Sequence, residues 1–133
     1  KDSTMSSKHV LDITDATELD TALAAGLADG ARTVLDFWAP WCGPCRSISA
    51  ALDHASTETL LESLNVTVIK INVDARPEIA ERFGVRGLPT LSYLVGKGAN
   101  KEPETIKSVT GACDLIKLQA SISEAYTAPI TAS

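Results

Sequence analysis

The chain has little of what marks a secreted, membrane-spanning or nucleic-acid-binding protein. No apolar run approaches the roughly 18 residues a membrane span needs, and the N-terminus lacks the charged-then-apolar pattern of a secretory signal. Cysteine is scarce and odd in number, three in 133 residues, whereas small secreted scaffolds carry even sets at short spacings. A reducing compartment is therefore expected: the cytoplasm, or an organelle if a targeting segment was removed. Lys and Arg number 12 against 17 Asp and Glu, for a net charge of −5. The basic residues are scattered, so neither a nucleic acid nor a membrane surface is expected as a partner. Internal repeats and low-complexity segments are absent too. Protein partners and small solutes remain.

What is present suits one soluble domain. Hydrophobic residues make up 44% and charged ones 22%, enough to build a core without a disulfide or metal to hold it. Residues 1–8 are polar and without period, an N-terminal segment expected to be flexible, and the part before Met5 is open to being foreign to the natural chain. The domain is expected over residues 9–126, with a frayed tail at 127–133.

Periodicity supplies the elements. "HVLDIT" alternates enough for an edge strand, and Thr14 or Asp15 then caps a helix whose Leu19, Leu23 and Leu27 recur every four residues before Gly30. "RTVLDFWA" and "VTVIKINVD" read as strands apolar on both faces, which implies a parallel sheet covered on both sides. Between them, the spacing predicts one helix from Pro44 to about Leu64, with Ile48, Leu52, Ala55, Leu60 and Leu64 on its buried side. "RPEIAERFG" is a short helix opened by Pro77 and closed by Gly84. "PTLSYLV" and "ETIKSVTG" form an antiparallel pair, and a last amphipathic helix runs from about Asp114 to Tyr126, aligning Leu115, Leu118, Ile122 and Tyr126. The order is βαβαβαββα, an α/β fold with a mixed five-stranded sheet and four helices.

"WAPWCGPCR" carries the chemistry. Cys42 and Cys45 enclose Gly43-Pro44 where a strand gives way to a helix. Free N–H groups and the positive end of the helix dipole favour a thiolate at Cys42, the form that attacks disulfides. Cys45, one turn in, can reach the Cys42 sulfur and is sheltered, which suits it to resolve a mixed disulfide. Half of a zinc site is disfavoured, because Cys113 lies far downstream and only His9 and His54 are left as further ligands. A structural staple is disfavoured because so tight a loop removes little unfolded-chain entropy.

Other residues look out of place. Asp36 stands inside "VLDFW", on the same strand face as Val34 and Trp38, where desolvation raises a carboxyl pKa. It reads either as a group that passes protons or as a strand-end carboxylate bonded to backbone. Lys70, in "VIKIN", would make both charges tolerable if the two strands are neighbours. Pro89 is an edge-strand proline or one of the rare cis prolines. Trp41 is expected to be exposed, Cys113 to be a buried small hydrophobe, and His9 and His54 to lie on the surface.

Taken together, "VLDFWAPWCGPCR", "KINVDARPEIAERFGVRGLPTL" and "VTGA" resemble the thioredoxin family over about His9 to Tyr126. The resemblance implies a thiol-disulfide oxidoreductase in which Cys42 attacks, Cys45 resolves, and Asp36 assists proton transfer with Lys70. It implies a cis Pro89 packed on the disulfide, and a shallow apolar groove for an extended partner segment. Trp41, Gly43, Pro44, Leu88, Pro89 and the turn Thr110-Gly111-Ala112 would line that groove, with Trp38 buttressing the loop. No bound cofactor or metal is implied beyond the redox-active cysteine pair, with electrons from NADPH arriving through thioredoxin reductase. Clients would be disulfide proteins such as peroxiredoxins, methionine sulfoxide reductases or a ribonucleotide reductase, and a monomer is expected. This chain departs from the family pattern at Arg46, Pro40 and Thr110, and in a longer segment from Gly96 to Pro103 that should bulge away from the cysteines.

Overall fold

The computed structural model describes residues 10–13 and 27–127. The helix expected after the first strand, with Leu19 and Leu23, lies outside the described residues, as do His9 and both chain ends. Five strands form one sheet: β1 (Val10–Ile13), β2 (Arg32–Trp38), β3 (Val66–Asn72), β4 (Thr90–Val95) and β5 (Glu104–Thr110). Their spatial order is β1-β3-β2-β4-β5, parallel across the first three and antiparallel from β2 to β4 to β5. The continuous apolar character of β2 and β3 follows from this central position, since both of their faces are covered.

Among the described residues, helices pack on both faces. On one, Val34, Val66, Val68, Leu91 and Tyr93 meet Ile48 and Leu52 of α1 (Gly43–Asp53), Leu61 of α2 (Ala55–Leu64), and Leu118, Ile122 and Tyr126 of α4 (Leu115–Thr127). On the other, Leu35, Phe37, Ile69, Ile71 and Leu94 meet Ile79 of α3 (Pro77–Arg82), with Leu27 and Phe83 packed at the margin. The Tyr126 hydroxyl donates to the carbonyls of Thr33 and Leu94, tying α4 to two central strands with no buried hydroxyl left over.

One expected helix is two. The pattern from Pro44 to Leu64 breaks at His54, whose backbone is extended (φ −71, ψ 140) and whose Nδ1 accepts from the Ser56 N–H to cap α2. The break rotates the buried stripe: Thr57 and Leu61 turn inward, Leu60 and Leu64 are half-buried, and Ala55, expected inside, is exposed. His54 is on the surface as expected. The longer segment 96–103 leaves β4 at the end paired with Arg32, the start of β2, so it lies at the opposite end of the strand from the cysteines. Its register with β5 shifts between Tyr93 and Leu94, leaving Ile106 as the extra, exposed residue of a bulge.

Candidate active site

The site grows out of the C-terminal end of β2. After Trp38 the chain turns, with the Cys42 N–H donating to the Ala39 carbonyl at 3.1 Å, and Cys42 becomes the N-cap of α1. Pro44 in the first turn presets the helical φ and gives up an N–H that would have no partner there. The Cys42 sulfur accepts from the Cys45 N–H at 3.2 Å, so it sits among the free amides at the positive end of α1. No acidic residue stands in that first turn to oppose a thiolate. Cys42 and Cys45 are joined as a disulfide. Both are buried to nearly the same degree, 4% and 5% exposed. The shelter expected for Cys45 is thus shared by both sulfurs, and what sets Cys42 apart is its place at the helix end.

Beside the disulfide lies a cavity of about 190 Å³, lined by Asp36, Trp38, Cys45, Ser49 and Lys70 among others, Pro40 and Arg46 included. Asp36 is 1% exposed, and parallel pairing of β2 with β3 sets it directly beside Lys70 in register. The Lys70 ammonium donates to Ser49 Oγ at 2.8 Å and stands 5.8 Å from the centre of the Trp38 ring. Trp38 is half-buried and packs with Ala39, Cys42 and Cys45.

In front, Trp41 is 68% exposed, and its indole N–H donates to both carboxylate oxygens of Asp74, at 3.0 and 3.2 Å. Asp74 is itself held by an Asx turn, its N–H donating to Asn72 Oδ1. Sequence reasoning missed Asp74 and Ser49. The spacing Asn72-x-Asp74 after a strand was the available signal for the first, and the second carries none. Gly43 and Pro44 are exposed.

The Leu88–Pro89 peptide bond is cis, which decides between the two readings of Pro89. Leu88 packs against the cysteine cluster and Pro89 is buried. The Pro89 carbonyl accepts from the Gly111 N–H at 2.9 Å, joining the loop ahead of β4 to the turn after β5. Gly111 has φ +116, a conformation that a side chain would strain. A Cβ there would meet nothing within 4 Å, so the space over it is open. Thr90 donates its hydroxyl to the Gly87 carbonyl at 2.6 Å, so Thr110, 3.0 Å away, must donate to Thr90. Thr110 and Ala112 are exposed. Cys113 is half-buried, less enclosed than expected, and burial followed by the charge of Asp114 pushes its thiol up. Among the described residues, no three of His, Cys, Asp and Glu come together as a metal site requires, and no helix is long and apolar enough to cross a membrane.

The thioredoxin family model matches residues 11–124, nearly the whole of the described sheet and helices. The chain belongs to the thioredoxin family. It is 34% identical over 100 residues to thioredoxin 1 of Synechococcus elongatus, which covers 75% of this chain and 81% of that protein. It is 38% identical over 91 residues to thioredoxin of Porphyra purpurea, over 68% and 77% of the two chains. Among solved structures it is similar to a mutant thioredoxin from Halobacterium salinarum NRC-1, with a TM-score of 0.63 at 34% identity over 93% and 96% of the chains. Membership and the cysteine pair together make this protein a thiol-disulfide oxidoreductase of the family's type.

Proposed function

We propose that this oxidoreductase works as a reductant of protein disulfides, with Cys42 as nucleophile and Cys45 as resolving thiol. The observation that carries the reading is the Cys42–Cys45 pair with Cys42 as N-cap of α1. In the reduced protein the Cys42 thiolate attacks a client disulfide, one client sulfur leaves as thiolate, and a mixed disulfide forms. Cys45 then loses its proton and attacks the Cys42 sulfur. The second client sulfur departs, and two electrons have passed from the dithiol to the client.

The buried Asp36 carboxylate takes the Cys45 proton across the cavity, with Lys70 beside it. Trp41, Gly43, Pro44, Leu88, Pro89 and the Thr110-Gly111-Ala112 turn receive an extended client segment, and the open space over Gly111 supports this. The disulfide is regenerated to dithiol by a thioredoxin reductase drawing on NADPH. Peroxiredoxins, methionine sulfoxide reductases and ribonucleotide reductase are the client classes, met in the cytoplasm or another reducing compartment by a monomer.

Insulin reduction by dithiothreitol is the test. The wild type should accelerate precipitation of insulin chains, and Cys42→Ser should remove the acceleration. Equal rates for the two proteins would overturn the reading. Cys45→Ser should instead accumulate mixed disulfides on Cys42, visible by mass spectrometry.

A further inference from the structure

Ser49 belongs to none of the roles above, yet it lies on α1 one turn beyond Cys45 and on the wall of the same cavity. An ammonium has three donors and no acceptor, so in the 2.8 Å contact Lys70 donates and Ser49 Oγ accepts. Lys70 ends a flexible four-carbon stem. The Ser49 contact fixes where that stem ends, with the Trp38 ring 5.8 Å from the ammonium and Asp36 beside Lys70 in register. In a partly enclosed cavity, where water screens less than in bulk, the effect of a charge on its neighbours depends strongly on where it stands.

We propose that Ser49 is a positioning residue for the resolving step: it anchors the Lys70 ammonium in the cavity beside Cys45, so that a fixed positive charge accompanies removal of the Cys45 proton. This rests on the reading of Cys45 as the resolving thiol. The Cys45 S–H proton passes to the Asp36 carboxylate. The Cys45 thiolate forms a bond to Cys42 sulfur while the bond from Cys42 to the client sulfur breaks. The client sulfur leaves with the electron pair, the protein dithiol is oxidised, and the client is reduced. Lys70 keeps its three protons throughout.

The charged and titratable groups facing this space are Asp36 on β2, Lys70 on β3, and Cys42, Cys45 and Arg46 at the start of α1. The charge of Asp36 also reaches Tyr93 on β4 and Cys113 ahead of α4, and pushes both of those groups up. Moving the ammonium away from Cys45 disfavours its thiolate, so its titration shifts to higher pH.

The test uses protein carrying Cys42→Ser and Cys113→Ala, in which Cys45 alone titrates, followed by the ultraviolet absorbance of its thiolate. Adding Ser49→Ala should raise the Cys45 titration midpoint by roughly half a pH unit to one unit, a part of the ~1–3 units by which an adjacent opposite charge shifts a group. Ser49→Thr, which keeps the hydroxyl, should return it to the starting value. In the otherwise unaltered protein, Ser49→Ala should slow insulin reduction at neutral pH about threefold to tenfold, the fold-change equivalent of that shift. An unchanged midpoint overturns the proposal. So does a shift that Ser49→Thr does not reverse while the thermal midpoint of unfolding falls, because that outcome marks a packing role. The titration does not depend on turnover, so it stands apart from the insulin test of the function itself.

Discussion

Cysteine reactivity in this chain is decided by what surrounds each sulfur within a few ångströms. Cys42 caps a helix and receives an amide N–H, whereas burial and then the charge of Asp114 push the Cys113 thiol up. In the fully reduced protein at neutral pH, iodoacetamide should label Cys42 ahead of Cys113, as read by mass spectrometry of peptides over time. Cys113→Ala should leave insulin reduction unchanged. Labelling of Cys113 ahead of Cys42 would show that the helix end does not govern thiolate formation. The same scale explains what was hidden in the sequence. Asp36 and Lys70 could be picked out because charges are out of place in apolar strands. Asp74 and Ser49 are polar residues in polar stretches of sequence, and what singles them out is a hydrogen bond made across the fold, to Trp41 and to Lys70.

At the scale of elements, strands and helix starts were legible because period and punctuation agree: β-branched runs, Pro44 and Pro77 in first turns, and Gly84 just past a helix end. The His54 break was not. An amphipathic pattern runs on through it, and histidine announces a cap only when Nδ1 is seen accepting from Ser56. The bulge at Ile106 escaped for a similar reason, since alternation resumes on either side of it. Gly96 fastens the long segment to the body of the fold. Its N–H donates to Ala31, its carbonyl accepts from Gly30, and a Cβ would fall 2.1 Å from the Ala28 carbonyl oxygen and 2.8 Å from Leu27 Cβ. Because the clash is with backbone, Gly96→Ala should cost about 1–3 kcal/mol, the range for forced overpacking, measured by urea unfolding. Its insulin activity per folded molecule should stay at the wild-type level. Loss of activity in folded Gly96→Ala protein would show that this end of the sheet communicates with the disulfide.

For the molecule as a whole, the central sheet carries a pH limit of its own. Tyr93 is fully buried against Tyr126, and burial pushes its phenol from 10.0 up to about 12. Between those values the unfolded chain has released a proton that the native state still holds, so stability falls as pH rises. Below pH 10 the contribution is fully present. The slope is about 1.4 kcal/mol per pH unit for one such group. Tyr93→Phe should lose about 1 kcal/mol at neutral pH with the Ser121 hydrogen bond, and should then show a shallower decline between pH 10 and 12 in urea midpoints. An identical slope in both proteins would show that other groups set the alkaline limit.

The placement of the long segment has a practical side. The disulfide follows Trp38 at one end of β2, while the exposed Asn100 and Lys101 sit beyond Val95, which pairs with Arg32 at the other. The molecule therefore has a natural handle and a working tip. A protein fixed to a bead or an electrode through Lys101 would stand with its cysteines directed outward, so that immobilisation and electron exchange would not compete for the same surface.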